Sequence, residues 1–164
     1  CIIDNFDSLI GLSDLSLIEN IIVKCIEHKK RFVVEDEFDR GNRMLLNFGH
    51  TFGHALESVF EYKNILHGEA IYYGMLAASY LSFTLGYIKK NELDKISSFL
   101  FSINKLNIND IDVDKVMEIM KNDKKNYGNS KRFIVLKNIG DAGIVENIPE
   151  KYIRESLMYA IKKK

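Results

Sequence analysis

Two histidines four residues apart, His50 and His54, sit inside the run LNFGHTFGHALE, Leu46 to Glu57. On a helix that spacing brings both imidazoles to one face, and neutral imidazoles suit Zn²⁺. A lone histidine in an apolar stretch reads as a core residue with satisfied ring nitrogens. Two on one face, in a segment punctuated by Gly49 and Gly53, read as a site. Each glycine costs about 1 kcal/mol against alanine in a helix interior, so something is expected to approach the backbone closely there. A third histidine, His67, opens the next helical segment within HGE and can reach back toward that face. A zincin-type protease is disfavoured, because Thr51 stands where its general base, a glutamate, would follow the first histidine. Catalytic zinc normally has three protein ligands and one open position. No carboxylate is an obvious third ligand: Glu57 and Glu69 are close in sequence, and each reads equally as a solvated acid or as a partner to a ligand.

Upstream, Lys29 and Arg43 flank the acidic stretch VEDEFDRGN. Charge runs are usually solvated surface. Yet Arg43, Asn47, His50 and His54 follow one another in steps of four, three and four, which places a cation, an amide and two imidazoles on one helical side. That combination suits an anionic, hydroxylated ligand held beside a metal. Lys124 and Lys125, in NDKKNYG, add positive charge near a turn; by themselves they read as solvated lysines.

The elements that must position these groups are mostly helical, since Pro149 is the only proline. Ser13 is the expected N-cap of a helix carrying Leu17, Ile18, Ile21, Ile22, Cys25 and Ile26 and running to about Val34. VEDEFDRGN reads as a loop broken at Gly41, and a second helix is expected over roughly Leu46 to Phe60. HGEAIYYGMLAASYLSFTLGYI is apolar nearly all round and therefore belongs in the centre of a domain. Within it Gly68, Ala70, Gly74, Ala77 and Ala78 are small enough for close helix contact. Glu92 to Leu100 and Asp112 to Lys121 read as amphipathic helices, RFIVL and GIVEN as a small hairpin, and Pro149 as the first turn of a closing helix. The expected class is mainly α, a multi-helix single domain over residues 1–164 with a small β-hairpin near the C-terminus.

Lys plus Arg and Asp plus Glu both number 23, so no global field attracts nucleic acid or an anionic membrane, and small molecules and protein surfaces are the expected partners. No apolar run reaches the roughly 20 residues that span a bilayer, and the expected location is cytoplasmic. Cys1 and Cys25 are too few for a disulfide framework and read as reduced and structural. The chain opens on Cys1 rather than on methionine, which reads as a piece of something longer.

KRFVVEDEFDRGNRMLLNFGHTFGHALE followed by HGEAIYYGM strongly resembles 3-dehydroquinate synthase, and MKNDKKN followed by RFIVLKNIGDAG resembles its C-terminal portion. The pair GHTFGHALE and HGEA is highly specific to that enzyme and its relatives, the sugar-phosphate cyclases. The resemblance implies the helical, metal- and substrate-binding second domain of an enzyme whose N-terminal Rossmann-like domain binds NAD; this chain has no glycine-rich dinucleotide fingerprint. It implies that a glutamate and two histidines hold Zn²⁺ or Co²⁺, the matching histidines being His50 and His67. His54 then goes to substrate and proton transfer instead of to metal. The family's glutamate lies in an Ala-Glu-Val-Ile-Lys type segment just before a stretch like CIIDNFDSL, and that segment has no match here, so the metal site is expected to be cut open.

By the same resemblance Lys29 and Arg43 match cations on the substrate carboxylate side, Asn47 and His54 match groups near its phosphate, and one of Lys124 and Lys125 matches a further active-site lysine. The implied reaction turns a sugar acid phosphate, 3-deoxy-D-arabino-heptulosonate 7-phosphate, into 3-dehydroquinate and phosphate, in the shikimate route to aromatic amino acids. A homodimer is implied for the whole enzyme, and no turnover for this chain alone. Alternatives are another sugar-phosphate cyclase making an inosose or a valiolone, a helical binding or dimerisation module, and an iron-dependent alcohol dehydrogenase. The last would have no use for Lys29, Arg43 and Asn47.

Overall fold

The computed structural model describes residues 2–103, 108, 111–127 and 131–162. The chain is mainly helical and forms two compact units, Cys1–Leu46 and Asn47–Lys164.

In the first unit a 3₁₀ turn, Ile3–Asn5, leads into the short helix α1, Phe6–Ile10, and then into α2, Leu15–Glu35. The cap of α2 is Asp14 rather than the expected Ser13: its carboxylate accepts a hydrogen bond from the Leu17 backbone N–H at 2.9 Å, answering one of the unpaired donors of the first turn. Cys25 on α2 is a free thiol, in line with its expected reduced state, but it is exposed and not packed in a core; Cys1 lies outside the described residues. After α2 the chain folds around one carboxylate. Asp36 accepts from the backbone N–H groups of Arg40 at 3.0 Å, Gly41 at 2.7 Å and Arg43 at 3.1 Å. The N–H of Arg40 first, then those of Gly41 and Arg43 with the Arg43 charge, hold this carboxyl below its ordinary value despite partial burial. The loop thereby delivers the chain to a 3₁₀ turn, Asn42–Asn47.

The second unit is built on two helices, α3, His50–Val59, and α4, His67–Thr84. As its lack of a polar face requires, α4 is central: Leu76, Leu81, Ala70 and Ala77 are fully buried. It packs against α3, against α5, Lys90–Ile103, against the closing helix α7, Glu150–Lys162, and against strand β1, Phe133–Asn138. Helix α6, Val113–Tyr127, packs on α3 and α7. Pro149 immediately precedes α7.

Strand β1 pairs antiparallel with β2, Asp141–Val145, in the register Phe133 to Val145, with an irregularity between Leu136 and Asn138 and a turn at Gly140. Side-chain hydrogen bonds join this hairpin region to the helices. Buried Ser82 of α4 accepts from the Leu136 N–H at 2.9 Å, and Thr51 of α3 donates to the Arg132 carbonyl at 3.0 Å. Each pairs a backbone polar group of the hairpin region with a helix side chain. Among the described residues no helix is long and apolar enough to cross a membrane.

The helix expected from Leu46 starts only at His50, because Gly49 takes a left-handed conformation, φ 84°, as its N-cap. A right-handed helix cannot pass through that conformation. Arg43 and Asn47 belong to the 3₁₀ turn before it, with three residues per turn instead of 3.6, so the expected stripe from Arg43 to His54 is not one helical face. The physical reason lies across the interface: a Cβ on Gly49 would sit 2.6 Å from the Met75 backbone nitrogen. Gly68, expected at the same kind of contact, has nothing within 4 Å of its missing Cβ. Gly68→Ala is therefore expected to leave the fold intact and to stabilise it by up to about 1 kcal/mol, the propensity difference between the two residues in a helix. Urea unfolding checks this, and a loss of stability would mean that Gly68 is held by a contact absent from the structure.

Candidate metal and substrate site

The contact between α3 and α4 brings three imidazoles together. His50 and His54 project from successive turns of α3, and His67 is the first residue of α4. The ring centres of His50 and His54 lie 5.5 Å apart, those of His50 and His67 5.6 Å, and those of His54 and His67 5.8 Å. Three imidazoles sharing one zinc ion, with nitrogens at about 2.0–2.1 Å from it, would have ring centres roughly 5 Å apart. The cluster is close to what a common ion needs, and the donor set is the borderline-soft nitrogen chemistry that Zn²⁺ and Co²⁺ accept.

Under the rings lies the carboxylate of Glu57, whose side chain is 9 % exposed against 59 % for His54 and 58 % for His67. Oε2 accepts from His54 Nδ1 at 2.8 Å and Oε1 from His67 Nδ1 at 2.9 Å. Burial pushes this carboxyl up, and the hydrogen bonds and charges of the two histidines more than offset it, leaving a net shift below the ordinary value. His50 faces the Phe48 carbonyl through Nδ1 at 3.4 Å, and burial, with the charges of the neighbouring histidines, lowers its affinity for a proton. A ring kept neutral is one that can give a lone pair to a metal.

Glu57 is the member of this cluster that spacing alone did not single out. Its signal in the sequence is an acid within the apolar run of α3, one turn after His54. Together His54, Glu57 and His67 offer one ligand atom each within 4.8 Å of one another. Glu69, the other acid considered, is accounted for locally: its carboxylate accepts from the Leu66 N–H at 2.8 Å and so closes the first turn of α4.

The remaining candidates are placed as follows. Asn47 is exposed at the end of the 3₁₀ turn. Lys29 is exposed on α2, and Arg43 donates from Nη1 to the Glu37 carbonyl at 2.7 Å, both within the first unit. Lys124 and Lys125 fall on the final turns of α6, and their side chains lie outside the described residues.

The fold of this helical chain is shared with two solved enzymes. The structure superposes on ValA, a 2-epi-5-epi-valiolone synthase from Streptomyces hygroscopicus subsp. jinggangensis 5008 solved with NAD⁺ and Zn²⁺ bound, with a TM-score of 0.81 at 19 % identity, over 97 % of this chain and 44 % of that one. It also superposes on a 2-deoxy-scyllo-inosose synthase complexed with carbaglucose-6-phosphate, NAD⁺ and Co²⁺, with a TM-score of 0.73 at 22 % identity, over 87 % of this chain and 41 % of that one.

Residues 2–126 match the model of the 3-dehydroquinate synthase C-terminal family, and the chain belongs to that family. Similar curated proteins include the 3-dehydroquinate synthases of Dictyoglomus thermophilum, 40 % identical over 148 residues, and Clostridium acetobutylicum, 38 % identical over 136 residues. These alignments cover 88 % and 82 % of this chain, but only 41 % and 38 % of the relatives' length.

Proposed function

We propose that this chain is the metal- and substrate-binding part of a 3-dehydroquinate synthase, acting on 3-deoxy-D-arabino-heptulosonate 7-phosphate. The observation that carries the reading is the cluster of His50, His54 and His67 over the buried Glu57 carboxylate. His50 and His67 would hold the metal, and His54, exposed at the rim, would move protons and face the substrate phosphate with Asn47. Lys29 and Arg43 would orient the substrate carboxylate as permanent cations, with one of Lys124 and Lys125 as a further cation. When bound, Zn²⁺ or Co²⁺ supplies Lewis-acid polarisation of a substrate hydroxyl and NAD⁺ supplies a hydride acceptor. A cytoplasmic homodimer belongs to the same proposal.

A second reading, another sugar-phosphate cyclase, is favoured by the fold neighbours, which make a valiolone and an inosose. The relatives at 38–40 % identity weigh against it, since both are 3-dehydroquinate synthases. The test is a chimera in which this chain replaces the matching segment of the Dictyoglomus thermophilum enzyme. With NAD⁺ and Zn²⁺ it is expected to form 3-dehydroquinate, whereas the chain alone, spanning about two fifths of that relative, is expected to give none. Turnover of heptulose or hexose phosphates lacking the carboxylate, in place of the sugar acid phosphate, would move the assignment to the other cyclases.

A further inference from the structure

We propose that Glu57 is a positioning residue that sets the tautomer of two histidines at once, presenting His67 Nε2 to the metal and His54 Nε2 to the substrate. The proposal rests on the roles given to those histidines above. Its basis is the geometry of one buried carboxylate whose two oxygens go to two different rings, 2.8 Å to His54 Nδ1 and 2.9 Å to His67 Nδ1.

An ionised carboxylate can only accept hydrogen bonds. Both Nδ1 atoms must then carry hydrogen, and in a neutral imidazole the lone pair is left on Nε2, away from Glu57. A carboxylate on a core helix beside Leu56 and Ala55 is costly unless its lone pairs are answered. The two N–H groups answer them, and no hydrogen-bond donor of a third residue contacts the carboxylate among the hydrogen bonds described. Because the two rings share one carboxylate, a proton-transfer ring and a metal-holding ring are held in fixed relation across the α3–α4 junction. His50 is oriented separately, by the Phe48 carbonyl, and serves as an internal reference.

Glu57→Gln keeps the shape of the side chain and removes its charge. The amide has one accepting oxygen and one donating nitrogen, so it can accept from one ring only and must donate to the other. That second ring is driven to carry its hydrogen on Nε2, where it can no longer bind a metal or take a proton. ¹⁵N NMR of the histidine rings in the metal-free chain, at about pH 8, well above the ordinary histidine value, reads the tautomers directly. Zinc competition against a chromophoric chelator, on the chimera described above, reads affinity.

In the unsubstituted chain His54 and His67 are expected to be protonated on Nδ1 alone. In Glu57→Gln at least one of them is expected to switch to Nε2–H with His50 unchanged, and zinc affinity to fall about 10- to 100-fold. A wild-type spectrum with hydrogen on Nε2 of either ring overturns the proposal whether or not the variant folds, as does a folded variant with both rings unchanged. Zinc lost as completely as in His67→Ala while both rings keep their hydrogen on Nδ1 would make Glu57 itself a ligand and also overturn it. If His67→Ala leaves zinc affinity untouched, it is the metal assignment that fails, and the tautomer spectra still decide the role of Glu57.

Discussion

Gly74→Ala is expected to cost about 3 kcal/mol or more of folding stability and to dismantle the imidazole cluster. A Cβ at this position would lie 2.1 Å from the Gly49 carbonyl oxygen and 2.9 Å from the Gly53 backbone nitrogen. Both obstacles are backbone atoms, so no side-chain rotation relieves them, and the two helices must separate or tilt. Overpacking of a close-packed core ordinarily costs about 1–3 kcal/mol, and a methyl group against main chain belongs at or beyond the upper end. The same displacement carries His67 on α4 away from His50 and His54 on α3, because the close approach of these helices is what brings the rings within 6 Å of one another. Urea unfolding of Gly74→Ala beside Gly68→Ala provides the measurement, since both add one methyl to α4. Equal effects of the two would mean that the α3–α4 contact does not determine the site.

The three single histidine replacements are expected to separate into two classes. In the chimera, His50→Ala and His67→Ala each remove a proposed metal ligand, and zinc affinity is expected to fall by about 100-fold or more, equivalent to roughly 2.7 kcal/mol. Loss of the Lewis acid removes several kcal/mol of transition-state stabilisation, so turnover should drop about 1,000-fold or more. His54→Ala is expected to retain zinc and to lose about 100- to 10,000-fold in turnover, the range for removal of a proton-transfer group. Zinc content after dialysis, together with 3-dehydroquinate formation, tests both. If His54→Ala loses zinc as readily as His67→Ala does, the ion sits among His54, Glu57 and His67, and the proton-transfer role must pass to another group.

The parts of the fold that the sequence made legible are those where one segment carries its own signal. Helix α4 was readable because it is apolar on every side, and a helix with no solvent face has only the domain centre to occupy. The hairpin was readable from two β-branched, apolar runs around a glycine-containing turn. The parts that were not legible depend on what a distant segment does. The break at Gly49 looks like an ordinary glycine in a helix until Met75 and Gly74 are brought against it. Asp14 and Ser13 are equally good caps by residue type, and only the structure shows that it is the Asp14 carboxylate that meets the Leu17 N–H. Glu57 carries no hint of its second partner, since His67 reaches it only after the turn between α3 and α4 has closed.

By itself the amino-acid sequence determined that this is a mainly helical chain with a small hairpin, that His50, His54 and His67 lie in two neighbouring segments, and that its motifs resemble those of the 3-dehydroquinate synthases. These follow from periodicity, residue chemistry and short-range spacing, which act within a few residues of one another. Tertiary structure alone decided that Arg43 and Asn47 leave the helical face of His50 and His54, and that one carboxylate serves two rings. Both depend on how closely two helix backbones can approach, which is set by the absence of a Cβ at Gly49 and Gly74 on opposite sides of their contact.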